Sequence, residues 1–360
     1  MAQRPVIVIE DDPFTRVIQI VLDPDTSAER RTAFADFFAH DEPDFAGWCT
    51  RVRSRVPGFA PAEVRMALSQ EELCERLASA DAVVVEALRI GREELDAGDR
   101  LKVVQKFGAL VRNIDTAACA RRKVAVLTQR RRSNIGCAEH ALALMLVLAR
   151  KLNRLDGLIT SERLTAAGYP IKPFDRRHTP YTNFGRIRGL RMLHGSTLGI
   201  IGLGEIGTEL ALRAAAFGMR VLYHQRTRLA PEEERQWNAR YATLDELLAQ
   251  SDWVVPQLPL NASTRGFLGR AQLAKMKPGA CLVNVARAEL VEREALLDAL
   301  ASGRLGGLGL DPLYETPGRS DDPLLRMENI VVTPNTAAQP RFNALADIEE
   351  LIVGMGRKLS

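Results

Sequence analysis

The sequence predicts an α/β fold of two domains, each built around a parallel β-sheet. Its 360 residues suggest two domains, at about 150 residues for each domain. Hydrophobic residues make up 46% and charged residues 26% of the chain, a balance that is typical of globular proteins and excludes disorder as the main state. Short β-branched runs alternate with helical stretches, the pattern of βαβ units that form parallel sheets.

In residues 1–130, predicted strands alternate with predicted helices, and this is the first of two such regions. Residues 41–67 mix proline, glycine and charged residues without a clear period, so we expect an irregular excursion there. The predicted strands are 6–10, 17–22, 82–87, 101–107 and 124–128, and the predicted helices are 28–39, 70–78 and 114–121.

A long helix and an arm are predicted next. Residues 136–155 are apolar nearly all round in the middle of the segment, so this helix should be buried on more than one side. Residues 156–195 show no clear period, and a loop of this length is usually functional or part of an interface.

The alternation resumes at residue 196 and predicts the second region. A long amphipathic helix over 341–359 ends the pattern. The predicted strands are 197–202, 220–224, 253–257, 281–284, 307–310 and 330–333, with helices at 206–217, 244–249, 270–275 and 292–302.

Charge and cysteine content exclude several classes of protein. The net charge is only +4, and the basic clusters at 121–123 and 130–132 lack aromatic or helical context, so we interpret them as solvated loop charge and predict no nucleic-acid partner. The five cysteines form no CxxC pair, which argues against a disulfide framework and a structural zinc site, and no metal is predicted. The first residues lack the apolar core of a signal peptide, and the longest apolar run, 141–149, is under half of a membrane span. We therefore expect a cytoplasmic protein without a membrane partner.

A dinucleotide-binding fingerprint follows the first strand of the second region. Gly202, Gly204 and Gly207 form a GxGxxG motif around Glu205 and Ile206. The motif follows an apolar strand and begins a helix, the context that supports a Rossmann-type, doubly wound sheet. The first glycine permits the tight turn, the second lets the backbone approach a pyrophosphate, and the third allows close packing of helix on strand. The helix N-terminus then offers free N–H groups to the phosphates.

The end of the next strand predicts which nucleotide binds. An NAD site places an acidic residue there for the ribose hydroxyls, but this chain has Gln225, with Arg226 and Arg228 beside it. Because cations suit a 2′-phosphate, we predict NADP, with NAD as the alternative.

With these motifs in place, the chain resembles the D-isomer-specific 2-hydroxyacid dehydrogenase family. The resemblance implies two domains with an active site in the cleft between them: a smaller, flavodoxin-like substrate domain from 1–132 and 336–360, and a dinucleotide domain from 133–335. It also implies a homodimer formed through helix 136–155 and arm 156–195. The matching segments, in order, are Leu101–Val104 with Gly108 and Asn113–Asp115, Ala138–His140, the fingerprint, Ser251–Asp252 with Leu258–Leu260, Val283–Val291, Gly309–Asp311 and Thr333–Pro334.

The family's functional residues fall on named positions of this chain. The catalytic arginine falls on Arg287; a guanidinium is permanently charged, can fork onto a keto acid's carboxylate and oxygen, and stabilises charge on that oxygen as hydride moves. The resemblance then implies a small anionic keto or hydroxy acid as the substrate, which Gly108 and Ala109 also bind. The resemblance places Leu258, Pro259, Thr264, Val285, Ala286 and Asp311 against the cofactor.

The chain departs from the family at its general acid. The family's Thr-Pro-His is Thr333-Pro334-Asn335 here, and the glutamate that would orient the histidine is Thr316, with Glu315 one residue early. Asparagine cannot exchange a proton near neutral pH. Three alternatives stay open: an oxidoreductase with an altered proton relay through Glu315 or water, an oxidation–isomerisation enzyme that retains its nucleotide, and a nucleotide-binding sensor or regulatory pseudoenzyme. His140 is predicted to pack on its helix, and His178 is the remaining candidate donor.

Overall fold

The computed structural model describes residues 4–169, 171–172 and 174–359. The described chain forms two compact units. The first holds the residues up to Gly136 together with those from Ala338 onwards, and the second runs from Cys137 to Ala337. The chain thus passes between the units twice, close to the predicted limits at 132 and 335.

Each unit is built on one parallel sheet, as the sequence predicts. The first sheet has the order β2-β1-β3-β4-β5, the flavodoxin-like order. The second has the order β12-β11-β10-β9-β6-β7-β8; numbered within the unit this is 7-6-5-4-1-2-3, the Rossmann order with one added strand. The strands are β1 (Val6–Glu10), β2 (Glu63–Ala67), β3 (Ala82–Val85), β4 (Val103–Lys106), β5 (Ala125–Leu127), β6 (Thr197–Ile201), β7 (Arg220–His224), β8 (Ala239–Tyr241), β9 (Trp253–Pro256), β10 (Ala280–Asn284), β11 (Leu305–Leu310) and β12 (Ile330–Val332).

Helices connect the strands and cover the faces of both sheets. They are α1 (Arg16–Leu22), α2 (Ala28–Phe38), α3 (Phe45–Ser54), α4 (Gln70–Arg76), α5 (Arg92–Ala97), α6 (Thr116–Arg121), α7 (Arg132–Arg150), α8 (Leu152–Leu155), α9 (Ser161–Ala166), α10 (Glu205–Ala216), α11 (Pro231–Gln236), α12 (Leu244–Gln250), α13 (Arg270–Lys275), α14 (Arg293–Ala301) and α15 (Phe342–Leu359).

Two of the secondary-structure predictions for the first unit are wrong. Residues 17–22 form helix α1 rather than a strand. All of them except Gln19 are buried, and such an apolar run has no period that distinguishes a buried helix from a buried strand. Residues 41–67 are not an irregular excursion, since they contain α3 and strand β2. The short elements α5, β8, α9 and α11 were also not predicted.

The core of the first unit lies on both faces of its sheet. Strand β1 contributes Ile7 and Ile9 to one apolar cluster, which includes α1, α3 and α15. It contributes Val6 and Val8 to the other, beneath α4 and α5. This division follows from the alternation of side chains along a strand. In the second unit α7 approaches β11 closely, and Leu144 lies 3.0 Å from the position that a Cβ on Gly309 would take.

The basic cluster at 130–132 is not solvated loop charge as predicted. Arg131 is buried and pairs with Glu86 at 2.7 Å. Arg132 is the first residue of α7, and its guanidinium lies 2.8 Å from the buried carboxylate of Asp347. Both side chains therefore have structural partners within the first unit.

Membrane-spanning helices, clusters of metal ligands and disulfides are absent from the described residues. None of their helices is long and apolar enough to cross a membrane. No cluster of three or more potential metal ligands occurs among them. No disulfide joins the five cysteines, all of which lie among the described residues, and burial raises the pKa of Cys49 and of Cys281 to about 11.

Two glycines of α15 give a matched test of its packing. A Cβ on Gly356 would lie 2.6 Å from Cγ1 of Val56, whereas a Cβ on Gly354 meets no atom within 4 Å. We expect Gly356→Ala to lower the free energy of unfolding by about 1–3 kcal/mol through overpacking. Gly354→Ala, the control, should raise it by about 0.5–1 kcal/mol because alanine favours helix. Denaturant unfolding of both variants checks this, and equal effects would contradict the packing described.

Candidate active site

The loops that carry the predicted site residues of the second unit lie at one edge of its sheet. Parallel strands end at the same edge, and a doubly wound sheet binds ligands there, where the strand order reverses. The reversal falls between β6 and β9. The fingerprint follows β6, and the loops of Arg287, Asp311 and Asn335 follow the neighbouring strands β10, β11 and β12.

The three fingerprint glycines have different neighbours. Gly202 has φ +98°, and a Cβ there would lie 2.5 Å from the carbonyl oxygen of Gln257. A Cβ on Gly207 would lie 2.4 Å from the carbonyl oxygen of Gly202. A Cβ on Gly204, the N-cap of α10, would meet no atom within 4 Å. Packing therefore requires the outer glycines, while the middle one leaves open space beside the first turn of α10, where Glu205 and Ile206 lie.

The loop after β7 ties one of the two predicted phosphate-binding arginines to a carboxylate. Arg228 forms two hydrogen bonds with Glu234, at 2.8 and 3.0 Å, and its guanidinium lowers the pKa of that carboxyl group. Arg226 is exposed and has no ion pair within the described chain. Gln225 accepts a hydrogen bond from the Leu203 N–H at 3.3 Å. The glutamine thus links the end of β7 to the fingerprint turn.

The loop after β9 lies against the fingerprint. A Cδ2 atom of Leu258 is 3.0 Å from the position of a Cβ on Gly202. The Thr264 hydroxyl donates to the carbonyl of Pro259 at 2.6 Å and so closes this loop. The Nε2 of Gln257 is buried and has no hydrogen-bond partner among the described residues. The backbone carbonyl of Gln257 lies next to the turn that is predicted to hold the pyrophosphate.

Arg287 presents an exposed guanidinium on a braced loop. The buried side chain of Asn284 donates to the carbonyl of Arg287 at 2.7 Å and accepts from the N–H of Ala286 at 3.0 Å. Val285 is buried. Within the described chain Arg287 has no carboxylate partner; its guanidinium donates only to the carbonyl of Ala286 at 2.7 Å. The loop backbone is therefore fixed while the cation remains available.

Asp311 organises the loop after β12. Its side chain is 2% exposed and accepts three hydrogen bonds. The Thr333 hydroxyl donates to Oδ1 at 2.6 Å, the Thr336 N–H donates to Oδ1 at 3.0 Å, and the Ala337 N–H donates to Oδ2 at 2.7 Å. A buried carboxylate is stable only when its lone pairs are satisfied, and here the 333–337 segment satisfies them.

His140 extends this network from helix α7. Its Nε2 lies 2.8 Å from the Thr333 hydroxyl oxygen. Because that hydroxyl gives its proton to Asp311, its oxygen accepts from His140, and the Nε2–H tautomer follows. His140 is thus hydrogen-bonded to the loop of Asn335, a role that the predicted packing on its helix did not include. His178 lies in the arm, exposed and 2.6 Å from Asp175.

Asn335 lies at the tip of the loop that Asp311 holds. It is exposed, with φ +60°, and its N–H donates to the carbonyl of Thr333 at 3.0 Å. Glu315 and Thr316 lie in the exposed loop after β11. No hydrogen bond joins either of them to Asn335 among the described residues, so their catalytic assignment stays a prediction.

The predicted substrate loop of the first unit follows β4. The Gly108 carbonyl accepts from the Gln129 N–H at 2.8 Å, and Ala109 is exposed. Asn113 donates to the carbonyl of Leu88 at 2.6 Å, which fastens this loop to the one after β3. Gly108 and Ala109 are therefore held at the carboxyl edge of the first sheet.

Sequence reasoning missed a charged pair at the same edge. Glu86 follows β3 and is partly buried, and Arg131 pairs with it at 2.7 Å while its guanidinium lies over the Phe107 ring at 3.9 Å. Burial raises the pKa of Glu86 despite this partner, with the charges of Asp12 and Glu10 adding to the rise. The only sequence signal was a charged residue directly after a buried strand.

Comparison with known proteins identifies the family. Residues 142–337, more than half of the chain, match the family described as D-isomer specific 2-hydroxyacid dehydrogenase, NAD binding domain. The chain belongs to the D-isomer-specific 2-hydroxyacid dehydrogenase family. The matched family model is described as an NAD binding domain, so a pyridine nucleotide is the cofactor class of this 2-hydroxyacid dehydrogenase family member.

Relatives within the family include glyoxylate reductase from Thermococcus onnurineus, 35% identical over 79% of this chain and 81% of the relative. D-3-phosphoglycerate dehydrogenase from Archaeoglobus fulgidus is 33% identical over 82% of this chain, and the match spans only 53% of that relative. Among solved structures, an acyclic imino acid reductase in complex with NADPH and D-Arg has a TM-score of 0.52 at 26% identity, covering 84% of this chain and 90% of that one.

The residues of this family member fit the nucleotide of its family. The open cradle at Gly204 and the N-terminal end of α10 suit a pyrophosphate. The assignment of Asn335 to the acid–base position stays a prediction; an asparagine amide does not exchange a proton near neutral pH.

The cradle at Gly204 gives a test of nucleotide binding. Because the Gly204 backbone is extended and a Cβ has space, Gly204→Val should leave the melting temperature unchanged. The side chain would occupy the phosphate space, so we expect NADPH affinity to fall at least about tenfold. Gly207→Ala, whose Cβ clashes with the Gly202 carbonyl, should instead lower the melting temperature. Fluorescence titration measures the affinity; undiminished NADPH binding by Gly204→Val would place the phosphates elsewhere.

Proposed function

We propose that this chain is an NAD(P)-dependent oxidoreductase that reduces C2 of a small 2-oxo acid without a histidine acid. The main support for the proposal is the exposed guanidinium of Arg287, which has no carboxylate partner within the described chain. Its loop lies at the same edge of the sheet as the fingerprint. A cation at this edge suits an anionic substrate. Identity to glyoxylate reductase from Thermococcus onnurineus supports the substrate class.

Each group at this edge has a separate role in the proposal. A bound reduced nicotinamide supplies the hydride. Arg287 binds the substrate carboxylate and stabilises charge that develops on the C2 oxygen. Asp311 holds the 333–337 loop at the end of β12, and Asn335 offers a neutral amide that can hydrogen-bond the reacting group. The proton for the product oxygen then comes from water, because Asn335 has none to give.

A second candidate reaction is favoured by the same asparagine. A protonated C=N group already carries its proton, so hydride addition at its carbon sends the electron pair to nitrogen and yields an amine without an acid. A carbonyl needs a proton as well as a hydride. The similarity to an acyclic imino acid reductase supports this candidate, in which Arg287 still binds the carboxylate and the Asn335 amide oxygen accepts from the iminium N–H.

The proposed coenzyme is NADP, through Arg226. In an NAD site, an acidic residue holds the ribose hydroxyls, and its charge would repel a 2′-phosphate. In this chain Gln225 stands at that position. Arg226 is exposed and has no ion pair within the described chain, while Arg228 is engaged by Glu234. Arg226 is therefore the better candidate for the 2′-phosphate.

A homodimer through the helix at 136–155 and the arm at 156–195 remains part of the proposal. Large apolar side chains are exposed in these segments, including Leu152 at 51%, Ile159 at 78% and Met192 at 66%. Exposed apolar residues in one region are typical of a protein interface.

Two arginine variants test the coenzyme proposal. Arg226→Ala should weaken NADPH binding by about tenfold, or about 1.4 kcal/mol, and leave NADH binding unchanged. Arg228→Ala is the matched control and should change the ratio of the two affinities less, since its guanidinium serves Glu234. Calorimetric titration of both nucleotides measures the ratio. Tighter binding of NADH than NADPH by the unmodified chain would contradict the proposal.

A substrate screen separates the carbonyl and imine reactions. Glyoxylate and pyruvate are each supplied with NADPH, alone and with methylamine, which forms the imine in solution. If the chain reduces carbonyls, glyoxylate alone is consumed, more slowly than in a histidine-containing relative by about 10²–10⁴-fold. If it reduces imines, turnover rises on adding methylamine, and the product is an N-methyl amino acid by mass spectrometry.

Arg287 is the control that links both reactions to one site. Arg287→Ala should lower turnover of the better substrate by about 10²–10³-fold, with NADPH affinity unchanged. Asn335→His should raise carbonyl reduction only modestly, because Thr316 stands where the family places the glutamate that would orient the new ring. Nucleotide binding without turnover on any of these substrates would instead favour the sensor alternative.

A further inference from the structure

The first unit contains a cavity that the proposed reaction does not use. It has a volume of about 550 Å³ and lies between the ends of β4 and β5, the 127–132 segment and helix α15. Small-molecule sites in proteins have volumes of about 300–1,000 Å³. Gln105, Gln129, Arg132, Glu350, Gly354 and Arg357 line the cavity.

Two buried amide side chains belong to the wall of this cavity. Gln105 donates to the carbonyls of Lys106 and Leu127 at 2.9 and 3.4 Å. Gln129 is 6% exposed and donates to the carbonyl of Asp347 at 3.2 Å, but its Oε1 is buried and has no hydrogen-bond partner among the described residues. An unpaired buried acceptor is unfavourable, and a ligand with an N–H or O–H donor would satisfy it.

Among the described residues, one cation at the cavity forms no ion pair. Arg55 pairs with Glu349, and Arg132 pairs with Glu350 at 3.0 Å and with Asp347 behind the wall. Arg357 has no ion pair within the described residues and is exposed at the cavity. A guanidinium binds a carboxylate through two parallel hydrogen bonds. The cavity thus combines a carboxylate-binding group with an unsatisfied acceptor.

The walls of the cavity lead directly to both places where the chain passes between the units. Arg132 begins α7, which continues past Gly136 into the second unit. Helix α15 follows the return of the chain at Ala338. Asp347 of α15 accepts from the N–H of Arg132 at 2.9 Å and so already joins the two segments. A ligand that contacts Gln129, Arg132 and Arg357 would contact both.

We propose that this cavity binds a small carboxylate that also carries a hydrogen-bond donor, either an α-amino acid or a 2-hydroxy acid. Its carboxylate pairs with Arg357, and its ammonium or hydroxyl group donates to the Gln129 amide oxygen. Because the occupant contacts the segments that lead into both crossings, its binding is coupled to nucleotide binding in the second unit, and the coupling is reciprocal.

The test is calorimetric titration of the full chain with two sets of probes. L-Alanine and L-glutamine represent the amino acids, D-lactate and D-glycerate represent the hydroxy acids, and propionate is the carboxylate without a donor. We expect one set to bind with a Kd below about 1 mM and propionate to bind at least about tenfold more weakly. The set that binds identifies the source of the ligand.

Two variants locate the binding. Arg357→Ala removes the cation, and Gly354→Leu fills the cavity from a position where a Cβ meets no atom within 4 Å. Each variant should weaken ligand binding at least about tenfold, with a melting temperature no lower than that of the unmodified chain and unchanged NADPH affinity in the absence of ligand. Arg287→Ala, outside this cavity, should leave the ligand affinity unchanged, which separates this site from the proposed substrate site.

Three results of these titrations would contradict binding in this cavity. The proposal is overturned if no probe binds at about 10 mM, if both cavity variants bind as the unmodified chain does, or if Arg287→Ala alone abolishes binding. Saturation with the ligand should change the Kd of NADPH by about threefold or more. Equal NADPH affinity with and without ligand would overturn the coupling.

Discussion

The buried carboxylate of Asp311 is the constraint on which the candidate active site depends. It cannot be buried as an anion without donors, and its donors are the Thr333 hydroxyl and the backbone N–H groups of Thr336 and Ala337. These contacts fix the loop that follows β12 and with it the position of Asn335. His140 completes the network through Thr333. These hydrogen bonds therefore hold the loop whose tip carries the neutral amide of Asn335.

This arrangement separates binding from proton transfer. The fingerprint turn, the braced loop of Arg287 and the Asp311 network are all present at one sheet edge, so nucleotide and anion recognition are intact in the proposal. In the proposed reaction, Asn335 supplies no proton, which restricts the chemistry to groups that take hydride without a protein acid, such as an activated carbonyl or a protonated imine. The charged cavity of the first unit adds a place where a second small carboxylate acts on the same chain.

The sequence predicted both sheets and the fingerprint because strand alternation and glycine spacing are local signals. It failed at residues 17–22, where a wholly apolar run fits a buried helix as well as a strand. It also misread Arg131, since burial of a cation depends on a distant partner, Glu86, that no local pattern reveals. The bond between His140 and Thr333 joins residues 193 positions apart, so only the folded chain brings them together.

The central claim is that no side chain of the Asn335 loop network supplies a proton during hydride transfer. The direct test is the pH dependence of single-turnover glyoxylate reduction at saturating NADPH. If water supplies the proton, the rate is slow and nearly constant between about pH 6 and 8.5, a range in which an unperturbed histidine would titrate. A rate that falls as the pH rises through about 6.5, and that loses this dependence in His140→Gln, would contradict it by identifying His140 as the acid.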